Sequence, residues 1–238
     1  KSLKTAKSNN AETQLDFGKY YALVIGNNKY DHLTDLKTAV NDAEVISKVL
    51  KEKYNFKVTT LLNGSRNSIL RELHNLRKTI SAKDNILIYY GGHGILDEQI
   101  STGYWLPVDS EKDNYANYIS DYDVISHLKG ISAKHILVIA DSCFSGKLVR
   151  GIEPVTEVNN LNNNKWYNRI LKMKVRIAMT SGNLEPVEDS GYGNHSIFAG
   201  NLLKHLNANE GIMLGRELYE KMKHSIIYNS EQTPLYGI

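Results

Sequence analysis

Apolar residues along the chain fall into two alternating kinds of run. Tyr20–Ile25, Phe56–Leu62, Ile86–Tyr90, Ile136–Ala140 and Val175–Met179 are short continuous stretches that read as strands, most of them buried. Between them apolar residues return at helical spacing. Val40, Ala43, Ile46 and Val49 predict a helix starting near Asn41-Asp42, and Ile69, Leu73, Leu76 and Ile80 predict a second. Val124, Ile125 and Leu128 mark a short helix; later come one over about Ser196–Leu206 and one with Leu214, Leu218, Met222 and Ile226 in register. Tyr104–Leu106 and the end around Pro234 read as extended. Strands alternating with amphipathic helices imply parallel pairing and a sheet covered on both faces. The predicted class is therefore α/β, with a mainly parallel central sheet and helices on both faces.

Residues 1–18 are polar and without periodicity, a tail or linker, and residues 19–238 form one domain. The pattern breaks over residues 147–174, which contain the run Asn159-Asn160-Leu161-Asn162-Asn163-Asn164. Asparagine-rich polar stretches favour turns over packing. This segment reads as an exposed connection between a larger part, 19–146, and a smaller part, 175–238.

Two of the strands run directly into glycine-bracketed turns. Ile86–Tyr90 leads into Gly91-Gly92-His93-Gly94, and Ile136–Ala140 leads into Asp141-Ser142-Cys143-Phe144-Ser145-Gly146. In parallel sheets ligands gather at the carboxyl ends of strands, so both turns fall on one rim. Cys143 is the only cysteine. A free thiol with a pKa of ~8.5 is mostly protonated near neutrality and needs a base to attack a carbonyl. His93 can supply that help as base or ion-pair partner, and afterwards protonate a leaving amine. The N–H groups of Gly94 and Cys143 are the candidate oxyanion donors. An isolated cysteine is more often a small buried residue, and an isolated histidine a turn residue. Here both follow buried strands among glycines, which favours chemistry. The other seven histidines lack such contexts and read as surface or packing residues.

The segments YYALVIGNNKY, Val40-Asn41-Asp42-Ala43, YYGGHG, GYWLPVD, LVIADSCFSG and AMTSG, followed by NHSIFAGNLL and a C-terminal helix, stand in an order that resembles the caspase-like cysteine peptidases of clan CD, family C14. Within them the chain is most similar to the prokaryotic metacaspase, orthocaspase and paracaspase-like group. About fifty residues also separate histidine from cysteine in caspases, as His93 and Cys143 are separated here, although the caspase Q-A-C signature is absent. The resemblance implies a caspase-like three-layer sandwich, large-subunit-like over 19–146 and small-subunit-like over 175–238. It implies a His93–Cys143 dyad that requires no third member. It also implies that Asp42 and Asp141 line the pocket for the residue before the cleaved bond. Two carboxylates in a partly dry pocket favour Arg or Lys, and Arg can bind bidentately. Asp42 could instead be a helix N-cap and Asp141 a brace for its turn. The segment Ala178–Gly182 could offer substrate an edge for main-chain pairing.

The expected activity is that of a cysteine endopeptidase acting on proteins or peptides after basic residues, with Arg150 and Lys165 as candidate self-cleavage sites in the 147–174 connection. The competing readings are a non-catalytic caspase-like module that binds or regulates within a larger protein, and a related transferase or ligase. Remaining features narrow the partners. A formal charge of +3 from scattered basic residues offers no nucleic-acid footprint. No apolar run approaches the ~18 residues of a membrane span. One cysteine makes no internal disulfide, which fits a reducing, cytoplasmic setting. Neither HExxH nor CxxC occurs, and Asp109, Glu111 and Asp113 read as a solvated acidic loop rather than a calcium site. No metal or cofactor is expected. The polar tail and the absence of an initial Met fit a domain taken from a longer protein with regulatory domains or an activating partner.

Overall fold

A computed structural model describes residues 17–143, 148, 173–182 and 191–237. Six strands form one sheet: β1 (Tyr20–Gly26), β2 (Lys57–Leu62), β3 (Asn85–Gly91), β7 (His135–Asp141), β8 (Val175–Thr180) and β9 (Leu235–Gly237). Their order is β2-β1-β3-β7-β8-β9, parallel throughout except for β9, which runs antiparallel to β8. A second, antiparallel sheet of β4 (Gly94–Asp97), β5 (Thr102–Trp105) and β6 (Ile119–Ser120) grows directly out of the turn that carries His93.

The alternation of side chains along each strand sorts the core into two layers. Leu23, Ile25, Ile86, Ile88, Tyr90, Ile136, Val138 and Ala140 face α2 (Arg66–Thr79) and α3 (Asp121–Gly130) through Ile69, Leu73, Val124 and Leu128. Ala22, Val24, Tyr89, Ile139 and Met179 face α1 (Ala39–Glu52), α4 (Ile197–Ala208) and α5 (Gly215–Asn229), meeting Ile46, Leu50, Phe198, Leu202 and Met222. The sheet thus has helices on both faces, giving the three-layer α/β sandwich expected.

Several expectations need correction. Helix α1 begins at Ala39 with Thr38 at the N-cap position, so Asp42 lies inside the first turn and caps nothing. Its buried stripe is Ala39, Asp42, Ala43, Ile46, Ser47 and Leu50, while Val40 and Val49 are only half-buried. Two polar residues stand on the packed face, which moved the apparent apolar stripe sideways. Ser47 is accommodated because its hydroxyl accepts a hydrogen bond from Thr60 of β2 at 2.8 Å. Ala178–Thr180 is no open edge: β7 pairs with it on one side and β9 on the other. Leu148, inside the segment expected to be exposed, is fully buried in the α2/α3 layer. Arg150 and Lys165 lie outside the described residues. So do residues 1–16, most of the predicted tail.

Among the described residues no helix is long and apolar enough to cross a membrane, and no three His, Cys, Asp or Glu side chains gather where a metal ion could be held. Asp109 serves another purpose, its carboxylate accepting the backbone N–H of Arg66 at the start of α2 at 2.8 Å.

Candidate functional site

The site begins with a strand register. His93 and Cys143 stand fifty positions apart, and so does every β3–β7 pair from Asn85↔His135 to Gly91↔Asp141. Neighbouring parallel strands lie about 4.8 Å apart. Each turn therefore leaves its strand at the same level, with histidine and cysteine each two residues beyond the last pair. The spacing is the pairing register itself.

The turns need glycine because they crowd one another. A Cβ on Gly92 would meet the hydroxyls of Tyr90 and Tyr30 at 2.8 and 2.9 Å, and one on Gly94 would strike the backbone carbonyl of Cys143. Between them His93 is pinned through its backbone: its N–H donates to the Tyr30 hydroxyl at 2.8 Å and its carbonyl accepts from Leu106 N–H at 3.0 Å. The Tyr30 ring lies against the imidazole, centroids 4.7 Å apart. Tyr30→Phe would leave that N–H without its acceptor. The expected loss is about 1 kcal/mol of stability, read by urea denaturation.

The imidazole orientation is set by a carbonyl. His93 Nε2 lies 2.8 Å from the Thr34 oxygen, which can only accept, so Nε2 carries the hydrogen. In the neutral ring Nδ1 is then the basic nitrogen. Thr34 sits in the loop between β1 and α1, and that loop is itself tied down. Asn28 donates to the Lys37 carbonyl and accepts from Val40 N–H, Asp35 accepts from Tyr30 N–H, and Asn63 accepts from the N–H groups of Asn28 and Lys29.

His93, Cys143, Asp42 and Asp141 all line one cleft of about 100 Å³, together with Leu36, Thr38 and Ser196. His93 and Cys143 are partly exposed in it, whereas Asp42 and Asp141 retain 1 % and 7 % of their surface. Strand alternation explains the acids. Asp141 follows Ala140 and so points to the α1/α4 layer, toward which the first turn of α1 also turns Asp42.

Residues 195 and 196, at the entry to α4, bind both carboxylates. Ser196 N–H donates to Asp42 Oδ2 at 3.1 Å, and its hydroxyl donates to Asp141 Oδ2 at 2.5 Å while accepting Ala199 N–H as the helix cap. Tyr89 adds a hydroxyl to Asp141 Oδ2 at 3.3 Å. His195 Nδ1 lies 2.5 Å from Asp42 Oδ1. His195 is thus more than the surface or packing residue expected. Ser196 was within reach of sequence reasoning as the residue opening a predicted helix; His195 stands in the family-like segment NHSIFAGNLL, but nothing there assigned it a role.

Asp141 Oδ1 is buried and makes no hydrogen bond of normal geometry among the described residues, although the Ser181 hydroxyl lies near enough to favour the ionised form. Burial pushes the Asp141 carboxyl up to about 6, with the charge of Asp42 adding to the rise. Burial also raises Asp42, against the hydrogen bonds from His195 and Ser196 that lower it. A buried oxygen with vacant lone pairs beside a second acid is chemically suited to receive a cationic donor. Neither carboxylate offers two vacant oxygens to one partner, so such a cation would bridge the pair.

Residues 19–236 match the model of the caspase domain of peptidase family C14. Metacaspase-1B of Neurospora crassa is 26 % identical over 153 residues, 54 % of this chain and 34 % of that protein. Metacaspase-1 of Botryotinia fuckeliana is 26 % identical over 153 residues, again 54 % of this chain and 35 % of the relative. The chain therefore spans about a third of the length of the curated relatives it matches. Among solved structures, a protein from Geobacter sulfurreducens superimposes with a TM-score of 0.67 at 18 % identity, over 92 % of both chains. Caspase-1 from Spodoptera frugiperda does so with 0.61 at 16 %, over 93 % of this chain and 86 % of that one. At these identities the likeness to solved structures is one of fold.

Proposed function

The chain belongs to the caspase-domain family of peptidases, C14, and from that premise we propose that it is a cysteine endopeptidase cleaving proteins or peptides after arginine or lysine. The observation that carries the reading is the shared cleft, in which a thiol and an imidazole adjoin two buried carboxylates, one with an oxygen still unpartnered. In the proposed reaction the Cys143 thiol gives its proton to His93 Nδ1, and the thiolate attacks the scissile carbonyl. The N–H groups of Gly94 and Cys143 receive the oxyanion. His93 then returns the proton to the leaving amine, a thioester remains on Cys143, and water deprotonated by His93 releases the acid. The Thr34 carbonyl holds the ring's hydrogen on Nε2 and so keeps Nδ1 available at each step. The basic side chain bridges Asp42 and Asp141.

The test is a fluorogenic peptide panel differing only in the residue before the bond: Arg, Lys, Gln, Leu and Asp. Arg and Lys peptides are expected to exceed the others by at least tenfold in kcat/KM. A preference for the Asp peptide would overturn the pocket assignment and leave the dyad standing. The pocket also predicts a pH limb. Asp141 is raised to about 6, so below that pH the free enzyme holds it neutral and loses attraction for a cation. On Arg peptides kcat/KM, which reports free-enzyme ionisations, should fall as pH drops through about 6.

A further inference from the structure

We infer that His195 is a positioning residue for the specificity pocket: its Nδ1–H, seated on Asp42 Oδ1, keeps that buried carboxylate ionised and aimed at the substrate cation. The kinetic part of this inference rests on the basic-pocket reading above. Asp42 is 1 % exposed, and an isolated carboxylate so deep would sooner take up a proton than stay charged. Five ionisable groups stand around it. His195 lies 2.5 Å away at the entry to α4, Asp141 faces it from β7, Tyr89 faces it from β3, and His93 lies across the cleft with Cys143. Asp141 opposes the charge, and Tyr89 gives its hydrogen to Asp141. Among the described residues, His195, the backbone N–H of Ser196 and the Thr38 hydroxyl donate to the Asp42 carboxylate, and of these His195 alone can carry a positive charge.

The geometry also shows how His195 is held. A carboxylate oxygen only accepts, so the ring nitrogen facing it carries the hydrogen. The Asn41 amide, 3.2 Å from the same nitrogen, then has its acceptor in the Asn194 carbonyl at 2.9 Å. One amide thus fixes the chain just before the imidazole. The His195 side chain is 20 % exposed, so replacing it opens no core cavity.

The prediction separates three variants. His195→Leu removes the donor, and Asp42 takes up a proton at neutral pH. KM for an Arg peptide should rise about tenfold at pH 7, kcat should change by less than threefold, and the defect should shrink as the pH is raised and Asp42 ionises. His195→Asn, whose amide nitrogen occupies nearly the position of Nδ1, should restore KM to within threefold of wild type. Asp42→Asn combined with His195→Leu should add nothing to Asp42→Asn alone. A readout independent of substrate is the infrared band of a protonated carboxyl at pH 7.5. It should be present in His195→Leu and absent from wild type and from the double variant. Equal KM in wild type and His195→Leu at every pH, or no carboxyl band in His195→Leu, would overturn the inference. Were the wild type to prefer Asp peptides, the pocket reading would fall by itself, and the infrared band would still decide whether His195 governs Asp42.

Discussion

Replacing Cys143 with alanine is expected to bring turnover of an Arg peptide down to background, a loss on the order of 10⁴-fold or more. The size follows from the chemistry. Without the thiol no covalent intermediate forms, and only binding and oxyanion stabilisation remain. His93→Ala should lose about as much, since each group is idle without the other, and the double variant should be little worse than either single one. The fold should tolerate both changes, because each side chain is partly exposed at a turn rather than packed inside. Melting curves within a few degrees of wild type would confirm that the loss is chemical. The same protein reads self-processing: on a denaturing gel, two smaller bands in wild type and one intact band in Cys143→Ala are expected if the 147–174 connection is cut by the enzyme itself. Residual activity above a few per cent in the alanine variant would place the nucleophile elsewhere. A thiol-directed peptide electrophile that fails to label wild type would favour a binding module.

The fold and the pair of turns were legible because both depend on local pattern. Buried parallel strands are short continuous apolar runs, and the glycines after them mark where the chain leaves the sheet. Even the pocket acid on β7 could be assigned a side, since Asp141 alternates with Ala140 and Val138 and must face the opposite layer. What escaped was set by contacts between distant residues. The stripe of α1 was misjudged because Asp42 and Ser47 are polar yet packed, each satisfied by a partner outside the helix. Ala178–Gly182 was expected to offer an edge, but its first three residues, Ala178–Thr180, pair with β9 some fifty-seven positions further on. Thr34 holds the imidazole through a backbone carbonyl, for which side-chain identity carries no signal. His195 is linked to Asp42 across 153 positions, and no periodicity reaches that far.

Asp141→Asn should separate activity from stability. Above pH 6 the wild-type chain holds a buried carboxylate with one unpartnered oxygen, beside a second acid. Because burial raises this group to about 6, the folded state binds its proton more tightly than the unfolded state, where the group titrates near 3.9. Its contribution is therefore most favourable below about pH 4. It declines as pH rises toward 6 and stays unfavourable above that. A shift of about two units corresponds to about 3 kcal/mol. The asparagine, isosteric and neutral, keeps an oxygen for the Ser196 and Tyr89 hydroxyls and escapes the penalty. Urea denaturation should show the variant more stable than wild type by about 1–3 kcal/mol at pH 8, with little difference at pH 4. Meanwhile kcat/KM on Arg peptides should fall about 10²- to 10³-fold, the scale for removing one partner of a buried charge pair, while kcat at saturation falls much less. A wild-type protein that is the more stable one at pH 8 would show that Asp141 braces its turn, and an asparagine variant that cleaves Arg peptides normally would show that it takes no part in binding. Gain in stability together with loss in affinity is what a preorganised cation site would show, a carboxylate held desolvated at a standing cost until a guanidinium or ammonium supplies its hydrogen bonds.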